Sequence, residues 1–438
     1  MIWKSLLCSS RLSDANNASR SPFNQDYGRV LYSSAFRRMQ DKTQVFPLGR
    51  NDYVRTRLTH SLEVANVGRT LAEEMAFIAD DRGELPLREG IKMTDIVATA
   101  CLAHDIGNPP FGHSGEKAIE EAVSLSVAEM ERKGLPVPEC MRHFRFEGNA
   151  QGFRLLTRTC DPIRGCGLDL TFATLGAFSK YPCSAAAIKA SGLMRYGTKG
   201  KFGLAEEDVP AFARVAEACG LLSLAPGVWA RHPLAFLMEA ADDVSYLVAD
   251  VEDAYVSHIL SYDQALEQLC KLGDLSEGKQ AAIRDEAAAR GCHAAMRMAR
   301  AITVGSCIAA LRDSLRAHYE AIMHGELEQG LMDASTLATP YNEVRRFSFR
   351  QIYSHESVLK VEITGFNIVR RLMELFMEWV HSPSGELGKK IGPILHASDD
   401  DSATQDSRFA HVVDYISGMT DSFALQTYAS LFGCAPGM

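Results

Sequence analysis

Apolar residues recur every three or four positions along most of the chain, which is the spacing of amphipathic helices. The strongest runs lie in 55–78, 91–104, 233–251 and 358–380. We predict further helices over 26–48, 115–133, 165–180, 206–219, parts of 261–322 and 408–432. Neither a convincing set of strands nor an internal repeat is evident in the pattern. The fold class we predict is therefore all-α.

A His-Asp pair, His104-Asp105, ends one of these apolar runs. Apolar residues lie three, four and seven positions before His104, which places it on the buried face of the helix. A glycine and two prolines follow and stop the helix. Buried charges need partners, and a divalent metal is a common one. On this segment alone, a core histidine beside a helix-ending aspartate is the favoured interpretation, and other segments change the balance.

Two other helices carry similar chemistry. His60 lies four residues before Val64, on the apolar side of the helix 55–78. Asp242, Tyr246 and Asp250 form a stripe with a four-residue spacing, at the border of the apolar face of 233–251. Carboxylates in such a place are costly unless they are paired or bind a metal, although an acidic solvent-facing stripe stays open.

These segments together offer four candidate ligands for one divalent metal: His60, His104, Asp105 and Asp242. Hard carboxylates favour Mn or Mg and also permit Fe, whereas two histidines permit Zn, Ni or Co. A cation at Arg57, one turn before His60, suits an anion bound next to that metal.

Composition narrows the class of protein. The chain has 438 residues, of which 46% are hydrophobic and 23% charged, as in ordinary globular proteins. A net charge of −9 argues against a generic nucleic-acid binder. The 11 cysteines are scattered without a C-x-x-C pair, which indicates reduced thiols. With no apolar run of about 18 residues and no signal-peptide core, we expect a cytoplasmic protein without a membrane partner.

Five stretches carry a family resemblance: 34–47, NDYVRTRLTHSLE at 51–63, AHDIGNPPFGHSGE at 103–116, 146–151 and MEAADDVSYLVAD at 238–250. Together they resemble the HD-domain phosphohydrolases, and specifically the dGTPase-like deoxynucleoside triphosphate triphosphohydrolases. The resemblance implies one helical body over 1–438 around one divalent-metal site, with an HD core at about 26–260. The part from 261 to 438 would serve packing and oligomer contacts. The implied reaction converts a dNTP, with dGTP the first choice, to the deoxynucleoside and inorganic triphosphate.

The resemblance also assigns roles. It implies that His60, His104, Asp105 and Asp242 bind the metal and that His113 and Glu116, with Asp105, form the catalytic group. Substrate contacts would come from Gln44, Tyr246 and Asp250 at the sugar and Arg57 at the phosphates, with Lys199 and Lys201 as candidates for the triphosphate. Asp243 and Asn108 differ from the lysine and histidine of the vertebrate relative, which points to the bacterial-type branch.

Implied partners are the dNTP, a nucleotide activator, single-stranded DNA and further copies of the chain in a ring-like homo-oligomer, often a hexamer in relatives. Two other functions stay open. One is another HD-type hydrolase, either a 5′-nucleotidase or an alarmone hydrolase. The other is a nucleotide or single-stranded DNA sensor with little turnover, which the basic and aromatic segment 344–350 and the arginines near 37 and 57 suggest.

Overall fold

The structure is a computed structural model that describes residues 1–13, 21–46, 53–159, 167–193, 200–397 and 404–433. The helices of the first half are α1 (Trp3–Leu6), α2 (Pro22–Leu31), α3 (Ser34–Arg38), α4 (Arg57–Asp81), α5 (Leu87–Gly90), α6 (Met93–Ala103), α7 (Gly112–Arg132), α8 (Glu139–Arg142), α9 (Gly148–Arg154), α10 (Phe172–Phe178), α11 (Ala185–Ser191) and α12 (Val209–Cys219). Those of the second half are α13 (Pro233–Val256), α14 (Tyr262–Leu272), α15 (Glu277–Arg290), α16 (Cys292–Met323), α17 (Ala338–Ser348), α18 (Glu356–His381), α19 (Glu386–Ile394), α20 (Gln405–Ser417) and α21 (Asp421–Phe432).

Among the described residues, the named strands are a two-stranded antiparallel hairpin, β1 (Ser223–Ala225) and β2 (Val228–Trp229). Short 3₁₀ turns cover Met39–Asp41 and Glu206–Asp208, and π-helical turns cover Leu155–Thr159 and Phe349–Tyr353. The all-α prediction is confirmed.

Three helices, α4, α6 and α13, pack against one another at the centre of the molecule. The short side chains of α6 allow this, because it is buried along almost its whole length. On α4, a Cβ at Gly68 would come within 2.6 Å of the Cys101 Sγ on α6 and 3.1 Å of Val97. The close approach brings the start of α4 and the end of α6 to the middle of α13, at Asp242.

The helix α16 has the length and composition of a membrane span. It packs, however, against α13, α14, α15 and α4, and its buried face joins the central core. Its apolar character is therefore accounted for by the protein interior.

A second hydrophobic core joins α7 to the C-terminal helices α18, α19, α20 and α21. Its centre is built from large apolar side chains such as Ile119, Phe376 and Val412. Because α7 begins at the turn that follows the His-Asp pair, the C-terminal helices that pack against α7 also stabilise that turn.

Two helix predictions were wrong in extent. The pattern over 26–48 predicted one helix, but α2 ends at Leu31 and Ser33 caps a new helix by accepting a hydrogen bond from the Phe36 N–H at 3.1 Å. The helix predicted from 165 begins only at Phe172, because Thr171 caps it by accepting from the Thr174 N–H. In both places a hydroxyl that caps a helix overrides apolar spacing.

Candidate metal centre and the side chains around it

The first turn of α4 carries the first candidate ligand. Thr56 caps the helix, and a capping box with Thr59 satisfies the backbone N–H groups that a helix start leaves open. His60 follows at full burial, 0% exposed, and its Nδ1 atom has no hydrogen-bond partner in the described part of the chain. The Nε2 atom of His60 is left to face the cluster.

The end of α6 supplies the His-Asp pair. The Nδ1 atom of His104 lies 2.7 Å from the carbonyl oxygen of Cys101, so Nδ1 donates this hydrogen bond and Nε2 is the ring nitrogen that faces the cluster. The Asn108 amide donates to Asp105 Oδ1 at 2.5 Å, and the buried Arg57 guanidinium donates to Asp105 Oδ2 at 2.6 Å. These contacts fix both side chains in place.

Asp242 of α13 completes the cluster. Its Oδ1 atom is 3.1 Å from His60 Nε2 and 3.6 Å from His104 Nε2. Its neighbour Asp243 belongs to a different environment, with Tyr341, Lys180 and Glu239 nearby. Of the two adjacent aspartates, Asp242 is thus the one in contact with the histidines.

The donor atoms fit a divalent metal. The ligand atoms of His60, His104 and Asp105 all lie within 4.8 Å of one another, and His104 Nε2 is 3.6 Å from Asp105 Oδ1. Metal bonds of about 2.1 Å hold neighbouring ligands about 3.0 Å apart in an octahedron and about 3.4 Å apart in a tetrahedron. The neighbouring donor separations of 3.1–3.6 Å are of this size.

The charges of the carboxylates suit a cation. Burial by itself would raise the pKa of Asp105, but the Arg57 guanidinium and the His104 imidazole bring that pKa below its ordinary value. Burial likewise opposes ionisation of Asp242, yet His104 and His60 hold its pKa well below the usual range. Both carboxylates are therefore ionised at neutral pH, as metal ligands must be.

His113 and Glu116 form a pair in the first turn of α7. The Nδ1 atom of His113 lies 2.8 Å from Glu116 Oε2, while the Gly148 N–H donates to Glu116 Oε1 at 2.9 Å. His113 is largely exposed, and Arg57 spans from Asp105 to the backbone of Gly112, where a Cβ would meet its Nη2 atom at 2.7 Å. Arg57 thus reaches from the cluster to Gly112, the residue directly before His113.

A second group of side chains lies further along α13. The Tyr246 ring lies edge-on to His60 at 6.4 Å between centroids and is 6.2 Å from the ring of Tyr353. The Tyr353 hydroxyl donates to Asp250 Oδ2 at 2.5 Å, and Asp250 is only 1% exposed. Burial raises the pKa of Asp250 to about 8, even though hydrogen bonds from Tyr353 and Tyr246 favour the carboxylate.

Tyr353 was missed as a site residue by the sequence reasoning. It reaches Asp250 from a π-helical turn 103 residues away along the chain. The nearest signal in the sequence was the basic and aromatic segment 344–350, which ends three residues before Tyr353.

The remaining predicted residues lie in various surroundings. The Oε1 atom of Gln44 is buried and has no hydrogen-bond partner among the described residues. Lys201 is exposed and lines a cavity of about 730 Å³ together with Asp243, whereas Lys199 lies outside the described residues.

Lys180 was also missed by the sequence reasoning. Its Nζ atom lies 3.2 Å from Glu239 Oε1, on the same side of α13 as Asp243. Although burial opposes its charge, Glu239 holds the pKa of Lys180 well above the ordinary value. The helical pattern did not indicate this lysine, which is charged at neutral pH and lies near the candidate metal ligand Asp242.

The chain is similar to known proteins along most of its length. The HD domain matches residues 57–151, and a phosphohydrolase-associated domain matches residues 332–430. The chain is 38% identical to a deoxyguanosinetriphosphate triphosphohydrolase-like protein of Synechocystis and 34% identical to one of Pseudomonas aeruginosa, over 99% of each chain in both cases. It is 31% identical to the deoxyguanosinetriphosphate triphosphohydrolase of Serratia proteamaculans, over 93% of both chains.

Proposed function

The chain belongs to the dGTPase-like family of HD-domain phosphohydrolases, and from this membership we propose that it hydrolyses a deoxynucleoside triphosphate to the deoxynucleoside and inorganic triphosphate. The names of its relatives make dGTP the first substrate to test. The observation that carries the proposal is the convergence of two imidazoles and two carboxylates within a few ångströms, next to a His-Glu pair.

His60, His104, Asp105 and Asp242 would hold a divalent metal, with Mn or Mg as our first choice. When bound, such an ion neutralises phosphate charge and orients the reacting oxygens. Support for this ligand set comes from the ionised state of the two aspartates and from the protonated Nδ1 of His104, which leaves Nε2 available.

The side chains around the cluster would contact the phosphate group and the departing 5′-oxygen of the substrate. Arg57 is anchored by Asp105 and would contact non-bridging phosphate oxygens. His113 would donate a proton to the departing 5′-oxygen, with Glu116 orienting its ring through the 2.8 Å contact. Lys201 stays our candidate for holding the triphosphate, and Lys180, whose ammonium group lies beside Glu239 one turn before Asp242 and Asp243, is a second.

The sugar would lie against Tyr246, Asp250 and Gln44. A buried Asp250 that already accepts a hydroxyl from Tyr353 is suited to a second hydroxyl, the 3′-OH of the sugar. The partnerless Oε1 of Gln44 is a further acceptor. We expect a 2′-hydroxyl to be excluded, and comparable turnover of GTP and dGTP would remove this part of the proposal.

Product analysis is the experiment that tests the function. The purified protein is incubated with each dNTP and with Mn²⁺ or Mg²⁺, and the products are separated by anion exchange. Deoxynucleoside with intact triphosphate is the expected result. Monophosphate with pyrophosphate, or release of single phosphates, would instead assign the chain to another kind of HD hydrolase, and no turnover with any metal would favour a sensor.

The ligand set has its own test, which does not depend on turnover. Asp242→Asn and Asp243→Asn change adjacent carboxylates on one helix, of which only Asp242 contacts the histidines. Calorimetric titration with Mn²⁺ should show lost binding in Asp242→Asn and retained binding in Asp243→Asn. Equal affinities in the two variants would contradict the ligand set.

Further partners remain predictions. A homo-oligomer, a nucleotide activator and single-stranded DNA follow from the family resemblance alone. The exposed Arg346, Phe349 and Arg350 beside Tyr353 form the surface on which we would look for them first. Sedimentation velocity with and without dGTP or a short single strand would measure all three.

A further inference from the structure

One carboxylate of the C-terminal helices joins two segments of the candidate site. Asp421 is the first residue of α21 and is 6% exposed. Its Oδ1 atom accepts a hydrogen bond from the Phe111 N–H at 2.8 Å. Its Oδ2 atom accepts from the Thr43 N–H at 2.9 Å and from the Thr43 hydroxyl at 2.5 Å. Thr43 precedes Gln44, and Phe111 precedes the helix that carries His113.

Phe111 has a backbone conformation that needs support. Its φ of 59° and ψ of 20° lie in the left-handed region, which costs a residue with a Cβ about 1–2 kcal/mol. It is the N-cap of α7, yet its side chain accepts no capping hydrogen bond. The conformation of the turn therefore depends on contacts that other parts of the protein make with the backbone and ring of Phe111.

That outside support comes from two C-terminal helices. Asp421 of α21 holds the Phe111 N–H, and α18 presents Gly365 to the Phe111 ring. A Cβ at Gly365 would lie 2.3 Å from the Cγ of Phe111 and 2.5 Å from its Cβ, so only glycine lets the ring lie there. The ring and the backbone of Phe111 are thus fixed by separate contacts.

A second tie runs beside the first. The Lys42 Nζ atom donates to the carbonyl oxygens of Asn108, at 2.5 Å, and of Ser417, at 2.9 Å. Lys42, the residue before Thr43, thus connects the same turn to the end of α20. Both ties therefore link residues 42–43, residues 108–111 and the C-terminal helices.

We propose that Asp421, together with Gly365, is a positioning residue that uses the C-terminal helices to hold the Phe111 turn and thereby sets where His113 and Glu116 lie relative to the metal cluster. This inference rests on the proposed function for its catalytic consequence. The four proposed metal ligands lie on or directly after α4, α6 and α13. Loss of Asp421 should therefore leave these ligands in place while His113, the proposed acid on α7, moves. A displacement of about 1 Å at a catalytic group can cost on the order of a hundredfold in rate.

The test compares three variants with a matched control. Asp421→Ala removes the hydrogen bonds to Phe111 and Thr43 but leaves the Lys42 tie, Asp421→Asn keeps one acceptor for the Phe111 N–H, and Gly365→Ala displaces the ring from α18. Glu386→Ala is the control, because Glu386 is also the first residue of a C-terminal helix but is exposed and pairs only with Lys390. Each protein is measured for kcat and KM, Mn²⁺ affinity and hydrogen exchange of the peptide covering 105–116.

We expect Asp421→Ala to lower kcat at least about tenfold, with smaller changes in KM and Mn²⁺ affinity within about threefold of the parent. Exchange of the 105–116 peptide should accelerate while that of α13 stays unchanged. Gly365→Ala should act in the same direction, and Asp421→Asn should recover part of both losses. Glu386→Ala should match the parent protein.

Other results would overturn the inference in distinct ways. Unchanged exchange over 105–116 in both Asp421→Ala and Gly365→Ala would mean that these residues do not hold the turn. Faster exchange with unchanged kcat would mean that the turn is held without setting catalysis. If the parent protein itself hydrolyses no dNTP, the proposed function fails, and the exchange measurement still decides whether the C-terminal helices hold the turn.

Discussion

The buried carboxyl of Asp250 gives a prediction whose size follows from the structure. Its folded pKa of about 8 lies far above the ordinary 3.8, because burial outweighs the hydrogen bonds from Tyr353 and Tyr246. Between these two values the folded protein keeps a proton that the unfolded chain has released. Stability from this group is therefore fully present at low pH and falls as pH rises from about 4 to about 8.

The slope in that window is one proton, or about 1.4 kcal/mol per pH unit, whatever the precise upper value. Between pH 5 and pH 7 the free energy of unfolding should thus lose about 3 kcal/mol through Asp250 alone. Asp250→Asn keeps the shape of the side chain and an oxygen that accepts from the Tyr353 hydroxyl, but it does not titrate. The stability of this variant relative to the parent should therefore rise by about 3 kcal/mol over the same two pH units.

Urea unfolding followed by circular dichroism at pH 5, 6 and 7 measures this difference. Protein concentration is held constant and a chelator is present, so that neither assembly nor metal binding changes the result. A variant at the exposed Glu386 controls for loss of a negative charge. A difference between parent and Asp250→Asn that stays flat within about 0.5 kcal/mol would show that Asp250 is ionised in the fold, and would refute the argument from burial.

Three further changes test the packing around the site. Gly107→Ala should destabilise the protein by more than about 4 kcal/mol, because its Cβ would lie 2.1 Å from backbone atoms of Gly148 and Gly152. The control is Gly305→Ala in the open middle of α16, which should stabilise the protein by up to about 1 kcal/mol. Thermal melts of the two variants compare these effects directly. Arg55→Ala should cost about 3–5 kcal/mol in urea unfolding, since it leaves the buried Asp253 without its guanidinium partner while Glu252 keeps only Arg300, and a loss below about 1 kcal/mol would contradict that. Thr56→Ala should cost about 1 kcal/mol and weaken Mn²⁺ binding measured by calorimetry, because the cap fixes the turn that holds His60; unchanged binding and stability would argue against it.

Local signals in the sequence were enough to pick out the side chains that meet in the candidate metal centre. His60 and His104 could be placed because each stands at helical spacing from apolar residues, and Asp242 because its stripe borders an apolar face. These inferences need only residues within two turns of one helix. The structure has His60 fully buried and Asp242 Oδ1 within 3.6 Å of both histidines.

Contacts between distant segments were beyond the same reasoning. Lys180, Tyr353 and Asp421 lie outside the strongest motifs, and their partners are 59, 103 and more than 300 residues away along the chain. A helical pattern shows which face is buried but not which other element covers it. Short elements were lost for another reason: α11 and the hairpin β1–β2 span too few residues for a period to appear.

The order of the ligands along the chain has a consequence for synthesis. His60, His104 and Asp105 are made early, and Asp242 is added 137 residues after Asp105. At roughly 5–20 residues per second, the ribosome needs on the order of 10–30 s to cover that interval. Throughout it, the nascent chain presents three donors and an apolar α6 that α13 does not yet cover. A metal ion captured during translation would therefore meet three of the four proposed ligands, and the fourth, Asp242, would join only after α13 has been made.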